Sequence, residues 1–201
     1  MPPRHKARRV LRRPSRLAVA YHEAGHAVAA QRLLRGVKCV RVGDDYALVS
    51  HGCTYTRGAY LCRAKVSFDD PKRSEHAFRS CVMSYAGPVA HSRFARLPLD
   101  RVLEVWGTSD VRQAYNVAGD VREGLLIWCG MVICGPGANV TGAARAFCEA
   151  ALEAAKELVA RDWRLISATA RKLAKRGELL GDDPVLRKIR RHGTAKRSAA
   201  A

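Results

Sequence analysis

His22, Glu23 and His26 form the most reactive grouping in this 201-residue chain. They lie in the string His22-Glu23-Ala24-Gly25-His26, an HExxH pattern. On a helix, side chains four positions apart leave the same face about one turn from each other. Two imidazoles placed that way can share one Zn²⁺ at ~2.0–2.1 Å. A residue one position further on is rotated by about 100°. Glu23 therefore does not easily ligate the same ion, but it can reach a water bound to it. That makes it a general base for hydrolysis, with the metal acidifying the water and polarising a carbonyl. The five-residue pattern also arises by chance, so its meaning depends on whether the chain builds a helix around it.

The flanking sequence supplies one. Ser15 is a good N-cap, the run from Leu17 to Leu34 is interrupted only by Gly25, and Gly36 closes it. Ala24, Gly25, Ala27 and Ala29 are small enough to let other elements approach closely. Val37 to Val42 alternates apolar and polar residues, the period of a strand. Gly43-Asp44-Asp45 reads as a turn, and Tyr46 to Tyr60 as a second strand with room for a third.

Asp70-Pro71 opens a helix that should run to about Ala86, where Gly87-Pro88 breaks or kinks it before Val89 to Ala95. Further helices are expected over Thr108–Val121, Thr141 to about Ala160, and Asp162–Arg176, the last stopped by Gly177. Asp183-Pro184 should begin a final short helical turn. The expected class is α+β, mostly α, with one small β-sheet after the HExxH helix.

Asp110 is the leading candidate for a third ligand, and its sequence context leaves two roles open. It can cap a helix, with Gln113 three residues later as a capping-box partner. It can also be a carboxylate aimed at a metal from a helix start. Rival donors are His51, Glu75, His76, His91 and Glu104. Seven cysteines include no CxxC pair, and Cys129 and Cys134 read as core packing. Trp106, Trp128 and Trp163 read as core or interface anchors, because no aromatic residue interleaves with the basic ends as single-strand binding requires.

Charge is distributed unevenly. The chain carries 36 Lys and Arg against 18 Asp and Glu, a formal charge of +18. Residues 1–16 and 185–201 hold 13 of those net charges and no acid. The expected organisation is a flexible basic arm over 1–15, a domain over 16–185, and a flexible basic, Ala-rich tail over 186–201. Such ends attract phosphate non-specifically. A hydrophobic share of 48% excludes wholesale disorder. The longest apolar run, Leu125 to Cys134, is shorter than the ~18 residues of a membrane helix. The N-terminus lacks a secretory core. A cytoplasmic protein with reduced thiols and no membrane span is expected.

The string Tyr21 to Ala29 (YHEAGHAVA) resembles the peptidase domain of FtsH-type zinc metalloproteases, which couple an AAA+ ATPase to a mostly helical protease domain. Val37 to Val42 falls where that family enters its small sheet. Tyr85-Ala86-Gly87-Pro88-Val89-Ala90 is similar to its alanine-glycine helix segment. Gly107 to Ala114 is similar to the segment that supplies an Asp as third zinc ligand. The run from Ala155 through Leu173 to Asp182 is similar to its closing helices. The resemblance spans roughly residues 17–185.

It implies a helical zincin-like peptidase domain with one Zn²⁺ per chain, held by His22, His26 and Asp110, with Glu23 as catalytic base. The chain departs from the family in three places. No GxxxxGK[ST] string is present, His91 stands where the family usually has an acid, and Tyr55 to Pro71 is not similar.

The function expected is a zinc-dependent metalloendopeptidase acting on unfolded or exposed protein segments. It would be ATP-independent in this chain, as a stand-alone domain, or served by a separate ATPase partner. An extended substrate could add to an edge of the small sheet around Ala47 to Thr56. The alternative is a catalytically silent, peptidase-like binding module whose basic arms contact nucleic acid or an acidic partner.

Overall fold

The computed structural model describes residues 14–34, 36–44, 50–56, 71–120 and 142–194. In chain order the elements are α1 (Arg16–Leu33), β1 (Val37–Asp44), β2 (Ser50–Thr56), α2 (Pro71–Ala95), α3 (Leu99–Val105), α4 (Thr108–Asp120), α5 (Gly142–Arg161), α6 (Trp163–Arg176), β3 (Glu178–Leu180) and α7 (Pro184–Thr194). The fold is α+β and mostly α, as the sequence pattern indicated. No helix among the described residues is long and apolar enough to cross a membrane.

α1 is the central element. Ser15 lies in extended backbone, and its Oγ accepts from Ala18 N at 3.2 Å, which satisfies an N–H the helix start would otherwise orphan. From Ala18 to Gln31 every residue but His22 is buried. A helix apolar on all sides is stable only when surrounded, and α1 packs against α2, the sheet, α6 and α7. Arg32 pairs with Asp162, 2.8 Å from Nη2 to Oδ1, and donates to Ile189 O at 3.0 Å. This ties the end of α1 to the α5–α6 junction and to α7.

The sheet has the order β2-β1-β3, antiparallel throughout. Val40 opposes Thr54 on one side and Leu179 on the other. Val37, Val40, Val42 and Leu179 reach the core. Among the described residues the third strand is Glu178–Leu180; of the Tyr46–Tyr60 region only Ser50–Thr56 is described, and the room for a further strand there lies outside the described residues. Gly177 makes β3 possible: its φ of +78° lies in the region that favours glycine, and its N–H closes α6 on Leu173 O at 2.8 Å.

Two expectations are corrected and one element is added. α2 runs unbroken through Gly87-Pro88. A proline inside a helix costs about 3 kcal/mol, yet Ser80 to His91 are buried without a break, and that burial outweighs the local preference. α2 ends at Arg96, whose φ is +54°, with Leu97 N returning to Ser92 O at 3.1 Å. α3 is a short helix the sequence pattern did not announce. Finally, the fold extends past residue 185. α7 buries Leu186 and Ile189, so the first part of the expected tail belongs to the core. The segments 1–13, 45–49, 57–70, 121–141 and 195–201, with Trp128, Cys129 and Cys134, lie outside the described residues, as does residue 35.

Candidate metal centre

The HExxH helix can present its histidines because small residues let α2 lie directly on it. A methyl added to Gly25 would collide with Ala86 O and Ala90 Cβ. One turn on, the partner of His26 is Gly87: a methyl there would overlap His26 Nε2 and Cδ2. The two helices are thus in close contact at the C-terminal end of the motif, at Gly25 and His26.

His26 has a fixed ring orientation. Its Nδ1 donates to Met83 O on α2 at 2.8 Å. A carbonyl can only accept, so in the neutral ring the proton sits on Nδ1 and Nε2 carries the lone pair. Backbone contacts of this kind hold metal-ligating histidines in register.

Asp110 comes from α4. It is the third residue of that helix, not its cap; Gly107 precedes the first turn. The corner that starts α4 is seated on Pro88: a Cβ on Gly107 would stand 3.0 Å from Pro88 Cγ. Val111 N closes on Gly107 O at 2.8 Å, and Cys81 Sγ donates to Ala114 O at 3.1 Å, fastening α4 to α2. A carboxylate in the first turn also suits the helix dipole.

The result is a convergence of three side chains from two helices. Asp110 Oδ2 is 3.0 Å from His22 Nε2, and Oδ1 is 3.3 Å from His26 Nε2. Glu23, 5% exposed, has a carboxylate oxygen within 4.8 Å of a nitrogen of each histidine. The His22 and His26 rings meet edge to face, with centroids 4.8 Å apart.

Burial opposes a charge on His26, but the Asp110 carboxylate outweighs it and lifts the imidazole to about 9. The converse holds for Asp110. Burial would raise its carboxyl, yet the two histidines hold it far below the usual carboxylate range.

One atom tests whether a cation fits here. Asp110 Oδ2 is buried and has no hydrogen-bond donor, although His22 Nε2 is 3.0 Å away. The contact lies off the direction of a ring N–H. Buried oxygens are rarely left this way. Two imidazole nitrogens and a carboxylate oxygen are also the N and O donors that zinc accepts at a site with an open position. The residues present fit a zinc ion.

His51 lies in β2 opposite Gly43, by its backbone. Glu75 is exposed and pairs with Arg79, and His76 O accepts from Ser80 Oγ at 2.9 Å. Glu104 is exposed and lines a cavity of about 550 Å³ with Tyr85, Leu103, Thr108, Val111 and Cys148. Among rivals with described side chains, only His91 meets the group. Its ring stands 6.0 Å from that of His22, edge to face, and stacks on Trp106 at 5.1 Å. Burial, and then His22, push His91 down to about 4, so its imidazole is neutral at pH 7.

Met83 and Gly87 were not legible as site residues, whereas His91 was legible as a rival ligand. Their spacing of four places them on one helix face, but a break expected at Gly87-Pro88 hides it. Compared with known proteins, the chain matches no protein-family model and no curated protein.

Proposed function

We propose that the chain is a zinc-dependent metalloendopeptidase, an FtsH-like peptidase domain that cleaves unfolded or exposed protein segments without ATP. The observation that carries this reading is the Asp110 carboxylate set against the Nε2 atoms of both HExxH histidines. His22, His26 and Asp110 would hold one zinc ion. When bound, the zinc supplies the Lewis acidity that polarises a peptide carbonyl and makes a water nucleophilic near neutral pH.

The chain's own residues do the rest. Glu23, next in sequence to His22 and within 4.8 Å of both imidazoles, takes the proton of the attacking water and delivers it to the leaving amine. Met83 O and the absent side chain at Gly87 keep His26 Nε2 turned toward Asp110. β2 is an edge strand, so an extended substrate can add to it by main-chain hydrogen bonds, which makes binding tolerant of sequence. A cytoplasmic location is part of the proposal.

The test is digestion of an unstructured casein by protein loaded with zinc. Cleavage that disappears on chelation and in Glu23→Gln, while that variant keeps its metal, supports the reading. Undiminished cleavage by Glu23→Gln refutes it.

A further inference from the structure

We infer that the outer face of α6 is a docking surface for the phosphate backbone of duplex DNA. The helix gives Ile166, Ala170 and Leu173 to the core. Its exposed residues are Arg164, Ala168, Arg171, Lys175 and Arg176, with no acid among them. At 100° and 1.5 Å per residue, Arg164, Arg171 and Lys175 fall within an arc of about 40°, in a stripe about 16 Å long.

These three charges are uncompensated. Lys172 and Arg176 turn instead to the buried Asp183, at 2.6 and 3.4 Å. No carboxylate among the described residues pairs with Arg164, Arg171 or Lys175; Arg171 Nε donates to Ser167 O at 3.3 Å, which leaves its charge in place.

Helix stability accounts for Lys175, which suits the dipole of the last turn, but not for the rest of the pattern. A solvated face mixes both signs, as α5 does with Glu149, Glu153, Lys156, Glu157 and Arg161 exposed. The first turn of a helix favours acids, yet α6 has none there and places Arg164 second. The surroundings add the same sign. Arg16 Nε donates to Ala174 O at 3.0 Å, so α1 begins beside Lys175 with a further cation. α7, packed on α6, exposes Lys188 and Arg187, the latter paired with the exposed Asp182 at 3.9 Å.

The partner follows from the chemistry. A single-sign row suits a polyanion of regular charge spacing, and duplex DNA carries one charge per ~1.7 Å of its axis. Single-strand binding would need exposed aromatic platforms. The aromatic residue of α6, Trp163, is instead stacked on Tyr21 with Arg93 over its ring. Insertion into a lipid surface would need exposed apolar side chains beside the charges, and the large ones exposed among the described residues, Val105 and Leu180, are not on α6. α6 holds none of His22, Glu23, His26 or Asp110, so this surface is independent of the peptidase reading.

The experiment is fluorescence anisotropy of full-length protein with a labelled duplex of about 20 base pairs, between ~50 and ~200 mM KCl. Log Kobs should fall linearly with log salt concentration. The variant Arg164→Ala/Arg171→Ala/Lys175→Ala should reduce the slope by about 2 to 3. The charge-keeping variant Arg164→Lys/Arg171→Lys should retain the wild-type slope and confirm that charge is what the duplex reads. A wild-type slope in the triple alanine variant, equal affinity for polyglutamate, or no binding at ~50 mM salt each overturns the inference.

Discussion

Gly87 of α2 lies so close to the ring of His26 that one methyl group on it would overlap Nε2, the atom that faces Asp110. The position is therefore part of the candidate metal centre although it carries no side chain. Gly87→Ala must displace either the ring or the helix. We expect the folded variant to bind zinc about 10- to 100-fold more weakly, the cost usual for disturbing the groups that orient a ligand. Competition with a chromogenic chelator measures it; wild-type affinity would show that His26 is not held in this orientation.

The base and the ligands should separate in their effects. Glu23→Gln should lower kcat by about 10² to 10⁴, the usual contribution of a general base, and leave metal content unchanged. Asp110→Asn keeps the shape of the side chain but removes its charge, and should lose both metal and activity. Elemental analysis beside casein turnover distinguishes the two patterns.

Metal binding should depend on pH with a defined sign. Without metal, Asp110 holds a proton on His26 up to about 9. A ligating imidazole must give that proton up. Zinc binding at pH 7 should thus release a proton, and apparent affinity should rise with pH toward 9. Calorimetry in buffers of differing ionisation enthalpy reads the proton directly; no release at pH 7 contradicts the pairing.

The same pair fixes the stability of the metal-free protein. The raised His26 contributes stability that is complete below its unfolded value of 6.5 and is lost as pH rises through about 9. The depressed Asp110 contributes stability present above 3.8 and lost as pH falls through its lower folded value. His91, held down to about 4, withdraws stability as pH falls below 6.5, so melting of chelator-treated protein should peak near pH 6.5 and fall on both sides. In Asp110→Asn the alkaline fall should disappear.

Away from the centre, Asp162 joins Arg32 and Arg161 at the junction of α5 and α6, where burial is outweighed by the two guanidinium groups. Asp162→Ala leaves the half-buried Arg32 without its counter-charge and should destabilise the fold by about 3 kcal/mol. Urea unfolding checks this, and zinc affinity per folded molecule should be unaffected.

Several of these features are legible in the amino-acid sequence itself. Ser15, the unbroken run after it and the four-residue spacing of His22 and His26 define α1 by short-range physics, and α1 forms as that reading requires. Asp110 is different. Capping a helix and reaching a metal both call for a carboxylate near a helix start, so the residue type cannot separate the roles. Only the seating of Gly107 on Pro88 turns Asp110 toward the histidines.

The sequence misleads at Gly87-Pro88, where local preference points to a break and long-range burial overrides it. β3 escapes notice because three residues are too few to show a period, and its partner in β1 is 137 to 141 positions away.

The proposed chemistry stands on His22, His26 and Asp110 binding one zinc ion together. The decisive observation is the anomalous signal at the zinc edge from crystals of protein purified without added metal. One peak is expected within about 2.0–2.2 Å of His22 Nε2, His26 Nε2 and an Asp110 oxygen. Density showing the Asp110 carboxylate still set directly against the two imidazoles in zinc-saturated crystals, with no peak between them, would contradict it.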